Sequence, residues 1–212
     1  MDATDSSERD LHEELRQLVL NRGYERREMP FPLSAGGTSH DYVDMRRAVA
    51  AGADLELAGR AVAHVFSTRD IEFDAIGGMT MGADPVAHAV AMLTGRGWFS
   101  VRKAAKGHGL QQRIEGSALG PGVRVVVMED TVSTGKSLFD AYEVVRDTKA
   151  EVVAVCTILD RGDEIAPRFA DLGVAYVAVL TYRDLGIERI GAGAAGAQAS
   201  AAGSPEADHA TP

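Results

Sequence analysis

Two adjacent carboxylates, Glu129 and Asp130, stand directly before a turn of small and hydroxyl-bearing residues. The turn spans residues 131–137, TVSTGKS, and the helical pattern LFDAYEVVRD follows it. Backbone N–H groups at the start of a helix can surround a phosphate group, and the helix macrodipole favours an anion there. Carboxylates at a strand end can accept hydrogen bonds from sugar hydroxyl groups. The segment therefore predicts a site for a phosphorylated ribose.

Two other interpretations of this segment were weighed against that site. Ser133 or Thr134 can act simply as a helix cap that satisfies backbone N–H groups in the first turn. The ending STGKS also resembles the phosphate loop of nucleoside triphosphatases. That loop needs a glycine five residues before Gly135, where this chain has Asp130. A carboxylate there would repel a triphosphate, so the sugar-phosphate interpretation is favoured.

A second group of chemically active residues lies in the segment RKAAKGHG, residues 102–109. It contains Arg102, Lys103, Lys106 and His108, a high density of cations for a chain with a formal net charge of -9. Its glycines favour a mobile loop. Alone, this loop could be a solvated surface feature. Beside a phosphate site, it could close over a departing anionic group, stabilise the charge and exclude water.

A central sheet is predicted to position both groups. Short, almost continuously apolar runs alternate with helical stretches: FDAIGG, WFSVRK, VRVVVMED, EVVAVCTILD and VAYVAVL. This pattern is typical of an α/β domain with a parallel sheet flanked by helices, in which ligands bind at the carboxyl ends of the strands. Apolar spacing also predicts helices at residues 9–22 and 54–66. The turn-rich stretch at residues 29–43 predicts a loop with short extended pieces.

The composition is ordinary for a globular protein of 212 residues, with 45% hydrophobic and 25% charged residues. We expect one domain over residues 1–190 and a disordered Ala/Gly/Ser-rich tail over residues 191–212. No apolar run is long enough to span a bilayer and the N-terminus has no secretory pattern, so we expect a cytoplasmic location and no membrane partner. The negative charge argues against a nucleic-acid partner.

Cysteine and histidine positions do not predict a metal site held by the protein. The single cysteine, Cys156, lies within an apolar run and is expected to be a buried thiol. The histidines have no spacing typical of zinc ligands.

Residues 125–137, VVVMEDTVSTGKS, resemble the loop that binds 5-phosphoribosyl 1-pyrophosphate (PRPP) in type I phosphoribosyltransferases. The run RKAAKGHG resembles the catalytic loop of the orotate phosphoribosyltransferases. The resemblance implies the type I phosphoribosyltransferase fold with a small N-terminal hood or helix. It implies a pentosyltransferase of pyrimidine biosynthesis that joins orotate to PRPP, giving orotidine 5'-monophosphate and pyrophosphate. It also implies a homodimer in which loop 102–109 is shared between subunits.

The resemblance further assigns roles to individual residues. Catalytic roles are implied for Lys106, His108, Arg102 and Lys103, and either Lys106 or His108 could be the acid. PRPP contacts are implied for Glu129, Asp130, Thr131, Val132, Ser133, Thr134, Gly135, Lys136 and Ser137. Orotate contacts are implied for Arg161 in the motif LDR, Ser133, Tyr42 and Val43. Mg²⁺ is the implied cofactor, held mainly by substrate and water, so no residue is expected as a dedicated metal ligand.

Two positions depart from the pattern of the family, because many members carry lysine where this chain has Ser34 and Gly82. Two other functions stay open. A phosphoribosyltransferase for another base would share the PRPP loop but has no need of RKAAKGHG together with Arg161. A PRPP-binding regulator without catalysis would need a nucleic-acid surface, which the net charge does not suggest.

Overall fold

A computed structural model describes residues 3–33, 37–104 and 113–190, with side chains from residue 10 onward. The strands are β1 Tyr24–Pro32, β2 Thr38–Val43, β3 Ala75–Met79, β4 Gly97–Val101, β5 Ile114–Gly116, β6 Arg124–Val132, β7 Glu151–Asp160 and β8 Ala175–Thr181. The helices are α1 Ala3–Leu18, α2 Met45–Ala48, α3 Gly52–Thr68, α4 Asp84–Thr94, α5 Lys136–Asp147, α6 Ile165–Asp171 and α7 Tyr182–Leu185. The expected tail at residues 191–212 lies outside the described residues.

Within the described residues, six strands form one sheet in the order β5-β4-β3-β6-β7-β8. All neighbouring pairs are parallel except β4 and β5, which are antiparallel. The predicted α/β architecture with a mostly parallel sheet is therefore confirmed, with the addition of a short antiparallel edge strand. Three residues of β5, two of them exposed, give no apolar run by which the sequence could reveal it.

The order of the strands creates a crevice at one edge of the sheet. From β3 the chain moves to β4 on one side, whereas β6, β7 and β8 follow on the other side. Because such crossovers are right-handed, opposite directions of travel place the connecting helices on opposite faces. Accordingly α4 packs on one face, and α5 and α6 pack on the other. The direction changes between β3 and β6, and ligands of α/β sheets bind outside the strand ends at such a point.

Side chains of the central strands alternate between two apolar cores. Val126 and Met128 of β6 face the core that contains α1, α3 and α4, whereas Val125 and Val127 face the core beneath α5 and α6. Strands buried on both faces have continuous apolar sequences, which explains the runs seen in the sequence. Cys156 lies in the first core and is fully buried, as predicted, and burial raises the pKa of its thiol to about 12.

The N-terminal region contains more regular structure than its sequence indicates. β1 and β2 form an antiparallel ribbon, paired from Tyr24 with Val43 to Pro32 with Thr38 and interrupted by an irregularity between Arg26 and Phe31. The extended pieces predicted within residues 29–43 occur as the end of β1 and as β2, but the sequence did not predict that they pair or that β1 begins at Tyr24. Prolines and glycines suggested turns, but the pairing of two edge strands tolerates prolines at positions that need no N–H donor.

The predicted helices occur with shifted boundaries. The helix predicted at residues 9–22 is α1, which ends at Leu18 and continues as a π-helical turn over Val19–Gly23. The helix predicted at residues 54–66 is α3, which is longer at both ends. In the part of the chain that the structure describes, no helix combines the length and the apolar character needed to span a bilayer.

Candidate active site

A cavity of about 610 Å³ opens at the carboxyl ends of β3 and β6. Four segments that are distant in sequence line it: the end of the ribbon with α2, the loop after β3, the segment after β4, and the end of β6. Their lining residues are Tyr42, Val43, Asp44, Met45, Arg46, Met79, Thr80, Met81, Gly82, Lys103, Glu129, Asp130, Thr131 and Ser137. The cavity therefore occupies the crevice that the strand order predicts.

The two carboxylates of this cavity are neighbours in the chain, Glu129 buried and Asp130 half-buried. Glu129 is only 7% exposed, and its Oε2 has no hydrogen-bond partner among the described residues. Burial and, next, the charge of Asp130 raise the pKa of Glu129 to about 8, and burial also raises the pKa of Asp130. Asp130 Oδ1 accepts a hydrogen bond from the backbone N–H of Thr131 at 2.7 Å. Burial thus disfavours the charged form of both carboxyls, and Glu129 Oε2 has acceptor capacity for a hydroxyl donor.

The loop after β3 lies directly against this acid pair. A Cβ at Gly82 would stand 2.5 Å from Glu129 Oε1 and 2.8 Å from Asp130 Oδ1, so only glycine fits without displacement of the carboxylates. Asp84 anchors the loop, because its carboxylate accepts hydrogen bonds from the Thr80 hydroxyl at 2.5 Å and the Ser100 hydroxyl at 2.7 Å. Gly82, one of the two positions where the chain departs from the resembled pattern, therefore lies in close contact with the acid pair.

The loop at residues 131–137, called the phosphate loop from here on, forms a second cavity of about 300 Å³ beside the first. Its lining includes the predicted residues Glu129, Thr131, Val132, Ser133, Thr134, Gly135, Lys136 and Ser137. Gly135 has φ +74° and caps the start of α5, and a Cβ there would come within 2.3 Å of Ile165 Cδ1. The start of α5 lines this cavity. The N–H groups of its first turn have no partner within the helix and are available to an anion. Thr131 Oγ1 is buried without a hydrogen-bond partner in the described ranges.

Lys136 is the most exposed member of this loop. Its ammonium group forms a surface ion pair with Asp140 at 2.9 Å, one turn further along α5. Surface pairs of this kind contribute little to stability, so the lysine is free to exchange Asp140 for another anion at small cost.

The four predicted catalytic cations are only partly described. Lys103 lines the larger cavity, and its charge acts on Glu129. Arg102 does not line either cavity, because its guanidinium pairs with Glu115 of β5 at 3.0 Å. Lys106 and His108 lie outside the described residues. The structure thus brings Lys103 to the acid pair and leaves Arg102 at the neighbouring sheet edge.

The predicted base-contacting residues occupy two places. Tyr42 and Val43 line the larger cavity, and Ser133 lines the smaller one. The Arg27 guanidinium lies over the Tyr42 ring, 4.2 Å from the ring centroid. This cation–π contact holds the ring in place. Ser34 lies outside the described residues.

Arg161 is 4% exposed and is not among the residues that line either cavity. Its Nη1 donates to the carbonyl oxygen of Asp41 at 2.7 Å, whereas Nε and Nη2 have no hydrogen-bond partner within residues 3–33, 37–104 and 113–190. Burial lowers the pKa of its guanidinium, although an arginine stays charged in proteins. Asp160 has other partners, the Gly162 N–H at 2.8 Å and the Tyr176 hydroxyl at 2.7 Å. The alternative of an Asp160–Arg161 ion pair is therefore not what the structure contains.

Sequence reasoning missed two residues that matter for this site. Arg46 lines the larger cavity and its charge lowers the pKa of Asp130, opposing the effect of burial. The available signal was the pair of arginines after Asp44 in an acidic chain. Asp41 was missed because its partners lie far along the sequence. In the described part of the chain, no three His, Cys, Asp or Glu side chains come together as a metal cluster.

Comparison with known proteins finds orotate phosphoribosyltransferases among the similar sequences. The chain is 46% identical over 162 residues to the orotate phosphoribosyltransferase of Streptomyces coelicolor, covering 74% of this chain and 87% of that protein. It is 42% identical over 158 residues to the orotate phosphoribosyltransferase of Mycobacterium tuberculosis, with the same coverage. No protein-family model matches the chain.

Solved structures show the same likeness. A crystal structure of Mycobacterium tuberculosis orotate phosphoribosyltransferase in complex with Fe(III) dicitrate has a TM-score of 0.72 and 39% identity, covering 84% of this chain and 99% of that one. The complex of that enzyme with PRPP has a TM-score of 0.69, 37% identity and the same coverage. A phosphoribosyltransferase from Corynebacterium diphtheriae has a TM-score of 0.71 and 35% identity over 84% of this chain and 99% of that chain.

Proposed function

The chain belongs to the orotate phosphoribosyltransferase family, and we propose that it transfers phosphoribose from PRPP to orotate with the side chains described above. The products are orotidine 5'-monophosphate and pyrophosphate, in the synthesis of pyrimidine nucleotides. Orotate N1 attacks the anomeric carbon as the bond to pyrophosphate breaks, with inversion at that carbon. The chain provides binding and charge stabilisation for this step, and it needs no covalent intermediate.

The observation that carries the proposal is the buried acid pair beside an open phosphate loop. Glu129 Oε2 and Thr131 Oγ1 are polar atoms without partners among the described residues, and they belong to two adjacent cavities. Buried polar atoms are costly to leave unpaired, so such atoms in a cavity indicate a ligand that pairs with them. A ribose with a 5'-phosphate supplies hydroxyl donors to the acids and an anion to the loop.

The PRPP contacts follow from this arrangement. Glu129 and Asp130 accept hydrogen bonds from the ribose hydroxyl groups. The loop at residues 131–137 binds the 5'-phosphate with its backbone N–H groups and with the hydroxyl groups of Thr131, Ser133, Thr134 and Ser137. Val132 and Gly135 shape the loop, since Val132 is buried and Gly135 supplies the left-handed turn. Lys136 adds a positive charge at the rim.

Orotate binds between the ribbon and the end of β7 in this proposal. Tyr42 and Val43 form one wall for the flat ring, and Ser133 contacts it from the phosphate loop. Orotate differs from uracil by a carboxylate, and a guanidinium can bind a carboxylate through two parallel hydrogen bonds. The unpaired Nε and Nη2 of Arg161 supply that pair of donors.

The leaving pyrophosphate is stabilised by the cations of the loop at residues 102–109. Lys103 and Arg102 stand at its beginning, and Lys106 and His108 follow in the sequence. This loop is shared between the subunits of a homodimer in our proposal: Lys103 lines the cavity of its own chain, and Lys106 and His108 act in the active site of the other subunit. Met81, Met92 and Trp98 are exposed apolar side chains in or near the loop after β3 and the start of β4, and they support a second copy packing there.

A mixing experiment tests the shared loop. Dimers re-formed from inactive Lys106→Ala and inactive Asp130→Asn chains should regain activity that neither parent has, because one site of each hybrid receives an intact loop and an intact acid pair. A mixture as inactive as its parents would place loop and acids on the same subunit.

Mg²⁺ fits the residues present. It prefers oxygen ligands, retains several waters, and is commonly bound through substrate phosphates and one or two carboxylates. Glu129 and Asp130 are carboxylates that line the larger cavity, and because they hold the ribose in this proposal, the ion would be held beside them mainly by the substrate and water. When bound, Mg²⁺ neutralises charge on the pyrophosphate. The chain's own contribution is to hold the ribose and the phosphates in line.

The proposal extends to the limits of the catalytic unit and its location. Residues 1–190 form that unit, because the backbone N–H of Ile190 still donates to the carbonyl oxygen of Arg161 at 2.6 Å. Residues 191–212 are dispensable in this proposal. Removal of residues 191–212 should leave activity unchanged. In this proposal the protein acts in the cytoplasm, together with its substrates orotate and PRPP. Cell fractionation tests that location.

The decisive experiment follows the loss of orotate absorbance with PRPP and Mg²⁺, with and without EDTA. Adenine, hypoxanthine and uracil serve as alternative bases. Consumption of orotate alone, abolished by EDTA, is expected. Turnover of another base would indicate a different phosphoribosyltransferase, and PRPP binding without any turnover would indicate a regulator.

A further inference from the structure

A buried carboxylate connects the β1–β2 ribbon to the segment that follows α7. Asp41 Oδ1 accepts hydrogen bonds from the Tyr24 hydroxyl and from Arg26 Nη1, both at 2.9 Å. Asp41 Oδ2 accepts a third from the backbone N–H of Glu188 at 3.0 Å. Hydrogen bonds to a charged group are the stronger ones, and donors from three directions fix the residue in place.

These donors also keep Asp41 ionised although it is fully buried. Burial tends to raise the pKa of its carboxyl, but the Glu188 N–H, the Tyr24 hydroxyl and Arg26 outweigh burial and hold the pKa below its usual range. The negative charge remains close to the Arg161 guanidinium and acts on it.

The fixed backbone of Asp41 in turn holds Arg161 by one nitrogen only. The Asp41 carbonyl oxygen accepts from Nη1 at 2.7 Å. On a guanidinium, Nε–H and one N–H of Nη2 point the same way and form an edge that matches a carboxylate. In the described residues, neither nitrogen of that edge has a hydrogen-bond partner. Arg161 as a whole residue is 4% exposed.

We propose that Asp41 is a positioning residue, which holds Nη1 of Arg161 so that the Nε–Nη2 edge receives the carboxylate of the pyrimidine base. This rests on the proposed function and names the edge of Arg161 that recognises orotate. Asp41 does not touch the substrate. It holds the Arg161 guanidinium in one orientation before the base binds. Less rotational freedom is then lost on binding, so binding is tighter.

The substitution Asp41→Asn tests the proposal with steady-state kinetics for both substrates. The amide retains the size of the side chain but replaces one acceptor with a donor, so Arg26 or Glu188 loses its partner. The KM for orotate should rise about tenfold, as expected for one disturbed hydrogen-bond network. The KM for PRPP should stay within about twofold, because the acid pair and phosphate loop have no contact with Asp41. The exposed acid Asp147 on α5 provides the matched control, Asp147→Asn.

A double-mutant cycle separates positioning from general support of the fold. In an Arg161→Lys background, which lacks the bidentate edge, Asp41→Asn should have almost no further effect on the KM for orotate. Fully additive effects, or an equal rise in both KM values with a lower melting temperature, would overturn the proposal.

The variant Tyr24→Phe keeps the test decisive where Asp41→Asn does not fold. It removes one donor to Asp41 and should raise the KM for orotate about two- to fivefold without changing the KM for PRPP. An unchanged KM for orotate in Tyr24→Phe and in any folded Asp41→Asn protein would refute the assignment. Failure of the proposed function has a different signature, a wild-type protein that consumes no orotate, and it would remove both conclusions.

Discussion

Two buried carboxylates of this molecule have opposite electrostatic behaviour. Glu129 is 7% exposed, and burial with the adjacent Asp130 raises its pKa to about 8. Asp41 is fully buried, yet its hydrogen-bond donors hold its pKa below the usual range. Burial favours the neutral form in both places, so the difference comes from donors. Asp41 receives them from the chain itself, whereas Glu129 Oε2 has none among the described residues.

The difference separates two regions: the acid pair with the loop at residues 131–137, which has unpaired polar atoms, and the network of Asp41, whose polar atoms are paired within the chain. The acid pair and the phosphate loop keep unpaired polar atoms in open cavities, at a cost in stability that a bound sugar phosphate offsets. The network of Asp41 is satisfied internally, and beside it only Nε and Nη2 of the buried Arg161 have no partner in the described residues. Substitution in the first region should therefore affect activity more than stability, and substitution in the second should affect both.

The largest expected effect comes from Glu129→Gln. The amide replaces one acceptor oxygen of Glu129 with an NH₂ donor, and this loss of an acceptor for the ribose hydroxyls should lower kcat/KM for PRPP by about two to three orders of magnitude. The folded protein should be at least as stable as wild type at pH 8, because a buried charge is removed. Steady-state kinetics and chemical denaturation measure both. Glu56→Gln, exposed on α3, is the control, and a Glu129→Gln protein with near-normal kcat/KM would end the assignment of ribose binding to this pair.

Arg161→Lys sharpens the comparison from the other region. Lysine keeps the charge but lacks the planar edge, so the KM for orotate should rise about thirtyfold while that for PRPP changes little. Equilibrium dialysis with labelled orotate provides an independent measure. Arg60→Lys, at an exposed position on α3, should behave as wild type. Unaltered orotate binding in Arg161→Lys would exclude Arg161 from the base site.

Gly82→Ala probes the packing of the loop after β3 against the acid pair. The added methyl group would stand 2.5 Å from Glu129 Oε1, and overpacking of this kind costs about 1–3 kcal/mol. If the loop moves to relieve it, kcat/KM should fall about tenfold with both substrates bound more weakly. At Gly120 a Cβ would meet nothing within 4 Å, so Gly120→Ala is the control. Equal behaviour of the two variants would show that the loop yields freely.

The smallest effect is a pH dependence of stability, with opposite signs for the two carboxylates. The pKa of Glu129 is higher in the folded chain, about 8 against 4.5, so the folded state binds more protons between these values. Unfolding free energy should therefore fall by about 1 kcal/mol per pH unit in that window, and Glu129→Gln should flatten the slope. The pKa of Asp41 is lowered by folding, so its stabilising contribution is present above its unfolded value of 3.8 and disappears in stronger acid.

Urea titrations at several pH values measure these slopes. The destabilisation caused by Asp41→Asn should be constant from pH 5 to 8 and shrink below pH 4, because Asp41 is ionised throughout the higher range. A wild-type stability that rises between pH 5 and 8 would contradict the raised pKa of Glu129.

The two regions also differ in how far the sequence predicts them. The phosphate loop and the acid pair are consecutive in the chain, so residues 129–137 could be identified from local spacing alone. Likewise, the continuous apolar strands reveal the parallel sheet because both of their faces are buried. The Asp41–Arg161 contact joins residues 120 positions apart. No periodicity or motif encodes which carbonyl a distant arginine will reach.

The N-terminal ribbon was missed for a related physical reason. β1 is largely exposed and contains Pro30 and Pro32, and the buried residues of β2 are the polar Ser39 and Asp41. Neither strand therefore has an apolar alternation or an apolar run in its sequence. Gly82 is explained in the same way, because its contact with Glu129 and Asp130 depends on the sheet that brings β3 beside β6.

The hydrogen bonds made by residues 188–190 imply an order of assembly on the ribosome. The N–H of Glu188 holds Asp41, and the N–H of Ile190 holds the carbonyl of Arg161. A growing chain released as far as α5 already carries the acid pair and the phosphate loop. The N-terminal ribbon, although synthesised first, acquires its fixed place only when the last residues of the described chain emerge, so the region around Asp41 and Arg161 is completed last during translation.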